Sequence, residues 1–170
     1  MMIMRIVIIN KGESIIMNNQ INGFDDMHTV LANERKVGGV IESDYLRLSS
    51  GEMFKNVAIT KVELMGSALC SIGCVTEEGE LLLINVKEIS MIHQPHHKKI
   101  YEMANQAYKQ VKLQEKMKYL KRLFDLNDGS YNPLFAEEAM MIIDDIGLHN
   151  VKKELDISSV YPDEKVYTIA

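Results

Sequence analysis

The stretch from residue 55 to residue 92 constrains the fold more than any other part of the chain. It reads KNVAITKVELMGSALCSIGCVTEEGELLLINVKEISMI and is the densest run of β-branched and apolar residues. Apolar and polar residues alternate over 57–65, which predicts a strand with one face in water. Gly66-Ser67 and the charged run 77–80 around Gly79 predict tight turns. The stretch therefore predicts several short antiparallel strands.

Leu81–Asn85 is almost wholly apolar, which predicts a strand buried on both faces with Leu82 and Ile84 in the core. A further strand is expected from Val37 to Glu42, where Gly38-Gly39 indicates a bulge or a sharp bend. The strand count predicts an α+β chain: a small antiparallel β-barrel or curled sheet of SH3-like or Sm-like size, followed by a C-terminal helical hairpin.

After Ile92 the apolar residues recur with helical spacing, which predicts a helix from His96 to about Asp125. Its apolar residues form two stripes that do not join in phase, one before and one after residues 111–114. Asn132-Pro133 is typical of a helix start, and Gly147 of a helix end, so a second helix is expected between them.

These elements divide the chain into a β-rich domain at 1–94, a helical hairpin at 95–157 and a polar tail at 158–170. Residues 3–9 predict a first strand and 14–17 a second. An alternative is that Lys11-Gly12-Glu13 before Met17 is a translated ribosome-binding site, with Met17 rather than Met1 as the native start. The abundance of Asn, Ile, Lys and Met suggests a low-GC bacterium or one of its phages.

The apolar share of 46% is ordinary for a globular protein, and no run approaches the ~20 apolar residues of a membrane span. The apolar N-terminus has no small-residue cleavage site, so it does not predict a signal peptide. Cys70 and Cys74 are four residues apart on one predicted strand, about 13 Å at ~3.3 Å per residue, which is too far for a disulfide. We therefore expect a cytoplasmic location and no membrane association.

Charge is unevenly distributed along the chain. The net charge is −5, yet residues 97–124 contain eight basic and two acidic residues. Four interpretations stay open for this basic helix: neutralisation of nucleic-acid phosphates, docking on a protein, an ordinary solvated face, or pairing with the acidic second helix. The candidate phosphate contacts are Lys109, Lys112, Lys116, Lys118, Lys121 and Arg122.

No residue pattern indicates catalysis or a cofactor. His93, His96 and His97 flank Pro95, but no spaced set of Cys or His residues completes a metal site. Nucleophile triads, glycine-rich phosphate loops and calcium loops do not occur in a recognisable form. The sequence therefore predicts a protein that is not an enzyme and that holds no metal and no cofactor.

The function predicted from sequence is that of a small regulatory or interaction protein of phage or mobile-element type. It would bind a host protein, assemble with itself, or both, through the apolar stripe that includes Tyr108, Val111 and Met117. The alternative is a nucleic-acid-binding module that uses the basic helix 97–124. The acidic total and the small number of aromatic residues count against that alternative.

Overall fold

The computed structural model describes residues 20–34, 38–127 and 132–161. The strands predicted at 3–9 and 14–17, and the question of the native start, lie outside the described residues. The elements in chain order are helix α1 Phe24–Ala32; strands β1 Val40–Leu48, β2 Met53–Met65, β3 Ala68–Val75, β4 Leu81–Asn85, β5 Ile89–His93 and β6 His96–Lys98; and helices α2 Gln106–Leu126, α3 Pro133–Ile146 and α4 Leu148–Val151.

The six strands form one antiparallel sheet in the order β4-β3-β2-β1-β5, with β6 also paired to β1. No described strand joins β4 to β5, so the sheet is open and the barrel alternative is not seen. Gly66 and Gly79 have φ of 65° and 87°, as the predicted turns between β2 and β3 and between β3 and β4 require.

On the side away from β2, β1 pairs with two strands. Its first residues pair with β6, Ile41 opposite His97, and its last residues pair with β5, Leu46 opposite Ile92. Gly39, just before β1, has a φ of 72°, and a Cβ there would lie 2.6 Å from the carbonyl oxygen of Lys98. The glycine pair predicted as a bulge within a strand therefore precedes the strand and permits the close approach of β6.

Two predictions about element boundaries and burial are wrong. The helix expected from His96 begins at Gln106, because 96–98 form β6 on the edge of β1 and the buried Asn105 caps the helix. β4 is not buried on both faces. Ile84 is buried and Leu82 partly buried, but Leu81 and Leu83 are 76% and 69% exposed, because only one face of this edge strand meets the core.

The C-terminal helices and the sheet share a core. Asn132 caps α3, Pro133 opens it and Gly147 ends it, as the sequence predicts. Phe124 of α2 meets Phe135 of α3 edge to face at 5.1 Å between ring centroids. Val40 and Ala58 of the sheet belong to the same apolar cluster as the helices. α1 packs on the sheet through Met27 in a separate cluster.

Among the described residues, no helix combines the length and the apolar content that crossing a bilayer requires.

Candidate functional site

A buried polar junction fixes the start of α2 against the sheet. Glu42 is 1% exposed, and its carboxylate accepts hydrogen bonds from Lys98 Nζ at 2.7 Å, from the Ala104 N–H at 3.1 Å and from the Asn105 N–H at 2.7 Å. The Asn105 side chain in turn accepts from the Tyr108 N–H at the first turn of α2. This junction positions the start of α2 relative to the sheet.

A second buried carboxylate attaches α3 to the same region. Asp145 Oδ1 accepts from the Gly39 N–H at 3.0 Å and from the Ile100 N–H at 3.1 Å. Asp145 Oδ2 is buried, accepts no hydrogen bond from a described residue and lies 4.0 Å from Lys116 Nζ. Both oxygens therefore face partners that hold the helices on the sheet, which is a structural arrangement.

The three residues predicted to bind a protein do not share one exposed surface. Met117 is buried in the helix core, and Tyr108 is partly buried against the same core. Desolvation raises the pKa of the Tyr108 hydroxyl above its ordinary value. Val111 is 50% exposed. Of the three, Val111 therefore offers most of its surface to a partner.

The first half of the predicted basic set makes contacts within the protein. Lys109 Nζ donates to the Tyr101 carbonyl at 2.6 Å. Lys112 Nζ lies 3.2 Å from Glu115 and 5.6 Å from the centre of the Tyr108 ring. Burial alone would lower the pKa of Lys112, but the charges of its neighbours outweigh burial and raise it. Lys112 Nζ also lies 3.6 Å from Glu34, and Lys116 Nζ lies 4.0 Å from Asp145, so all three lysines have a contact outside α2.

The second half of the set lines a groove. Lys118, Lys121 and Arg122 face Lys153 across a groove of 640 Å³ between α2 and the segment that follows α3. Glu154 is the acidic residue of this lining, and its carboxylate accepts from Lys121 Nζ at 2.7 Å. Within the described residues, Lys118, Arg122 and Lys153 form no ion pair. We refer to this feature as the basic groove.

Two of the most exposed aliphatic side chains of the sheet lie on β4. Leu81 and Leu83 point away from the core and lie opposite Val75 and Gly73 of β3. Beyond the last β3–β4 pair, the tip of the β2–β3 hairpin exposes Leu64 and Met65, the latter at 75%. We refer to the outer edge of β4 with Leu81 and Leu83 as the β4 edge.

The histidines and cysteines are distributed over separate structural positions. His93 stacks on Tyr45 with 4.5 Å between ring centroids and lies 3.4 Å from Asp44. Cys74 is buried, and burial raises the pKa of its thiol to about 11. In the part of the chain that the structure describes, no group of three or more His, Cys, Asp or Glu residues is arranged to hold a metal ion.

Sequence reasoning did not predict the exposure of the β4 edge or the position of Lys153 beside the groove. An uninterrupted apolar strand gives no sign of which face is exposed, because period-two alternation is the signal for a wet face. Lys153 is 31 residues from Arg122 in sequence, and only the fold brings the two together. The burial of Asp145 could have been predicted, because this residue lies three positions after Ile142 on the apolar face of its helix.

Comparison of the chain with family models, with curated proteins and with solved structures finds no match.

Proposed function

We propose that this chain is a non-enzymatic interaction protein that forms a homodimer by pairing the β4 edges of two copies. The observation that carries the proposal is an apolar edge strand whose Leu81 and Leu83 are exposed. In this arrangement the sheet continues from one copy into the other. The hypotheses of a host-protein partner, a regulatory role and a phage origin stay predictions from the sequence.

The backbone of β4 supports this pairing. β4 bonds to β3 on one side, and among the described residues no strand pairs with its other side. An edge strand presents unpaired N–H and C=O groups, which bind another extended strand readily. Proteins that avoid such contacts place charged residues, proline or bulges on the edge. Leu81–Asn85 contains neither proline nor a charged residue, and its pairing with β3 is regular.

The register of β4 favours a second copy as the partner. Antiparallel pairing of two β4 strands about Leu83 places Leu83 of one copy opposite Leu83 of the other, with each Leu81 diagonal to it on the same exposed face. Apolar side chains on neighbouring strands stabilise a pair, and a two-fold axis makes the contact self-complementary.

Light scattering over a range of protein concentrations tests the proposal. We expect the mass to rise with concentration from the chain mass of 19.4 kDa towards twice that value. Leu83→Lys should give a monomer, because it places two like charges opposite each other at the centre of the interface. The control is Leu126→Lys, at a position that is 83% exposed on α2; this variant should still dimerise.

Val111→Lys separates this interface from the apolar stripe predicted from sequence. If the stripe is the interface, Val111→Lys gives a monomer and Leu83→Lys leaves the dimer intact, which would overturn the proposal. A wild-type protein that stays at the chain mass at every concentration would also overturn it.

A further inference from the structure

The basic groove has a surplus of positive charge that the fold does not use. Four basic side chains line it, and Glu154 is the acidic one. The lysines earlier on α2 contact Tyr101, Glu115 and Asp145, whereas three of the groove cations have no ion pair among the described residues. A concave surface lined by one sign of charge concentrates counter-ions of the opposite sign. The groove therefore favours a ligand that carries several negative charges.

The shape of the groove indicates an extended ligand. It follows α2 from Gln110 to Arg122, which is about 18 Å at ~1.5 Å per residue. Phosphates of one strand recur every ~3.4 Å in a duplex and more widely in an extended strand, so several lie within that length. A positively charged groove that follows the backbone is typical of proteins that bind single strands.

The chemistry of the lining selects the backbone rather than the bases. The rest of the described lining consists of Leu113, Met117 and the amides of Gln110, Gln114 and Asn150, and none of these residues has an aromatic ring. Recognition of single strands through their bases relies on aromatic stacking. Lysine and arginine without aromatic rings bind phosphates irrespective of sequence.

We propose that the basic groove binds the phosphate backbone of single-stranded nucleic acid without sequence preference. Lys118, Arg122 and Lys153 contact phosphates, and Glu154 weakens binding because it pairs with Lys121. This site is separate from the β4 edge. The monomeric Leu83→Lys variant should therefore bind a single strand as the wild type does, and failure of the dimer leaves this inference standing.

Fluorescence anisotropy with a labelled oligothymidine tests the site. With three phosphate contacts, the slope of log affinity against log salt is about −2, so binding weakens about 20-fold between about 50 and about 200 mM salt. Lys118→Glu combined with Arg122→Glu should weaken binding at least tenfold. The control is Arg47→Glu combined with Lys55→Glu, which makes the same change in net charge on the exposed sheet and should alter binding less than threefold.

Glu154→Gln should change the affinity in the opposite direction from the groove variant. Removal of this carboxylate releases Lys121 as a fourth contact, so binding should tighten and the loss over the same salt range should rise to about 50-fold. A variant that fails to fold cannot produce this gain.

Four outcomes would overturn the proposal. The first is the absence of binding at low salt. The second is an equal loss in the groove variant and in the sheet control. The third is binding of tripolyphosphate as tight as that of the oligonucleotide, which would indicate a compact phosphate ligand. The fourth is equally tight binding of polyglutamate, which would indicate an acidic protein.

Discussion

Glu42 on β1 and Asn105 at the start of α2 form the link through which the sheet positions the C-terminal helices. The Asn105 N–H donates to Glu42 Oε1 at 2.7 Å. The Asn105 amide nitrogen Nδ2 donates to the carbonyls of Asn56, Val75 and Thr76, at 2.9, 3.0 and 3.0 Å. One side chain therefore caps a helix and joins β2 to β3, and both residues are 1% exposed or less.

Asn105→Ala should destabilise the protein by about 3 kcal/mol. The change removes a helix cap, which is worth ~1 kcal/mol, and leaves buried carbonyls without their donor, at ~1–3 kcal/mol in total. Urea unfolding followed by circular dichroism measures the loss. Asn132→Ala is the matched control, because Asn132 also caps a helix but is exposed, and within the described ranges its side chain accepts a hydrogen bond from the Leu134 N–H alone. It should cost ~1 kcal/mol, and equal losses in the two variants would contradict the linking role.

Ile84→Ala and Leu83→Ala should differ although the residues are neighbours on β4. Ile84 is 8% exposed and belongs to the sheet core, whereas Leu83 is 69% exposed. We expect a loss of ~2–5 kcal/mol for Ile84→Ala and under about 0.5 kcal/mol for Leu83→Ala, each measured on the monomer at low concentration. A loss at Leu83 as large as that at Ile84 would mean that Leu83 is buried within one copy.

Cys70 and Cys74 should react differently with a thiol reagent. Burial raises the pKa of Cys74 to about 11, so at about pH 8 its thiol stays protonated in the folded protein. Cys70 is partly exposed. We expect one rapidly reacting thiol per folded chain and two per chain in denaturant, measured by absorbance. Rapid reaction of both thiols in the folded protein would contradict the burial of Cys74.

The same raised pKa predicts a loss of stability in alkaline solution. The folded chain keeps the Cys74 proton above the pH at which the unfolded chain releases it, near 9.0. Stability should therefore fall as pH rises from about 9 towards about 11. Cys74→Ala should lose less stability than the wild type over that range, relative to its own value at neutral pH, in urea unfolding. An equal fall in both proteins would assign the effect to other groups.

Local signals in the sequence predict much of this fold. The turn glycines at 66 and 79, the cap at Asn132 and the stop at Gly147 act within a few residues, and the structure has each of them. The start of α2 was mispredicted because β6 pairs with β1 across more than 50 residues, and such a pairing outweighs local helical spacing. The exposure of Leu81 and Leu83 likewise depends on the position of β4 at the end of the sheet.

The candidate sites were less predictable than the fold. The basic character of 97–124 was evident from sequence, but the division between Lys112, which contacts Glu115, and Arg122, which lines the groove, depends on how α2 is rotated against the core. That rotation depends on contacts such as the one between Asn105 and Glu42, which are far apart in sequence. The spacing of apolar and basic residues along the sequence does not reveal how α2 is rotated.

Hydrogen exchange of the β4 amides at low and high protein concentration tests the central claim most directly. In an antiparallel ladder, every second N–H of an edge strand points away from its neighbour, so β4 has amides that no described strand protects and that a second copy would protect. We expect exchange of peptides that contain Leu81–Asn85 to slow as concentration rises, with no such change in Leu83→Lys or in peptides from α3. Exchange from β4 at the same rate at every concentration, in a protein that light scattering shows to be associated, would contradict pairing through this edge.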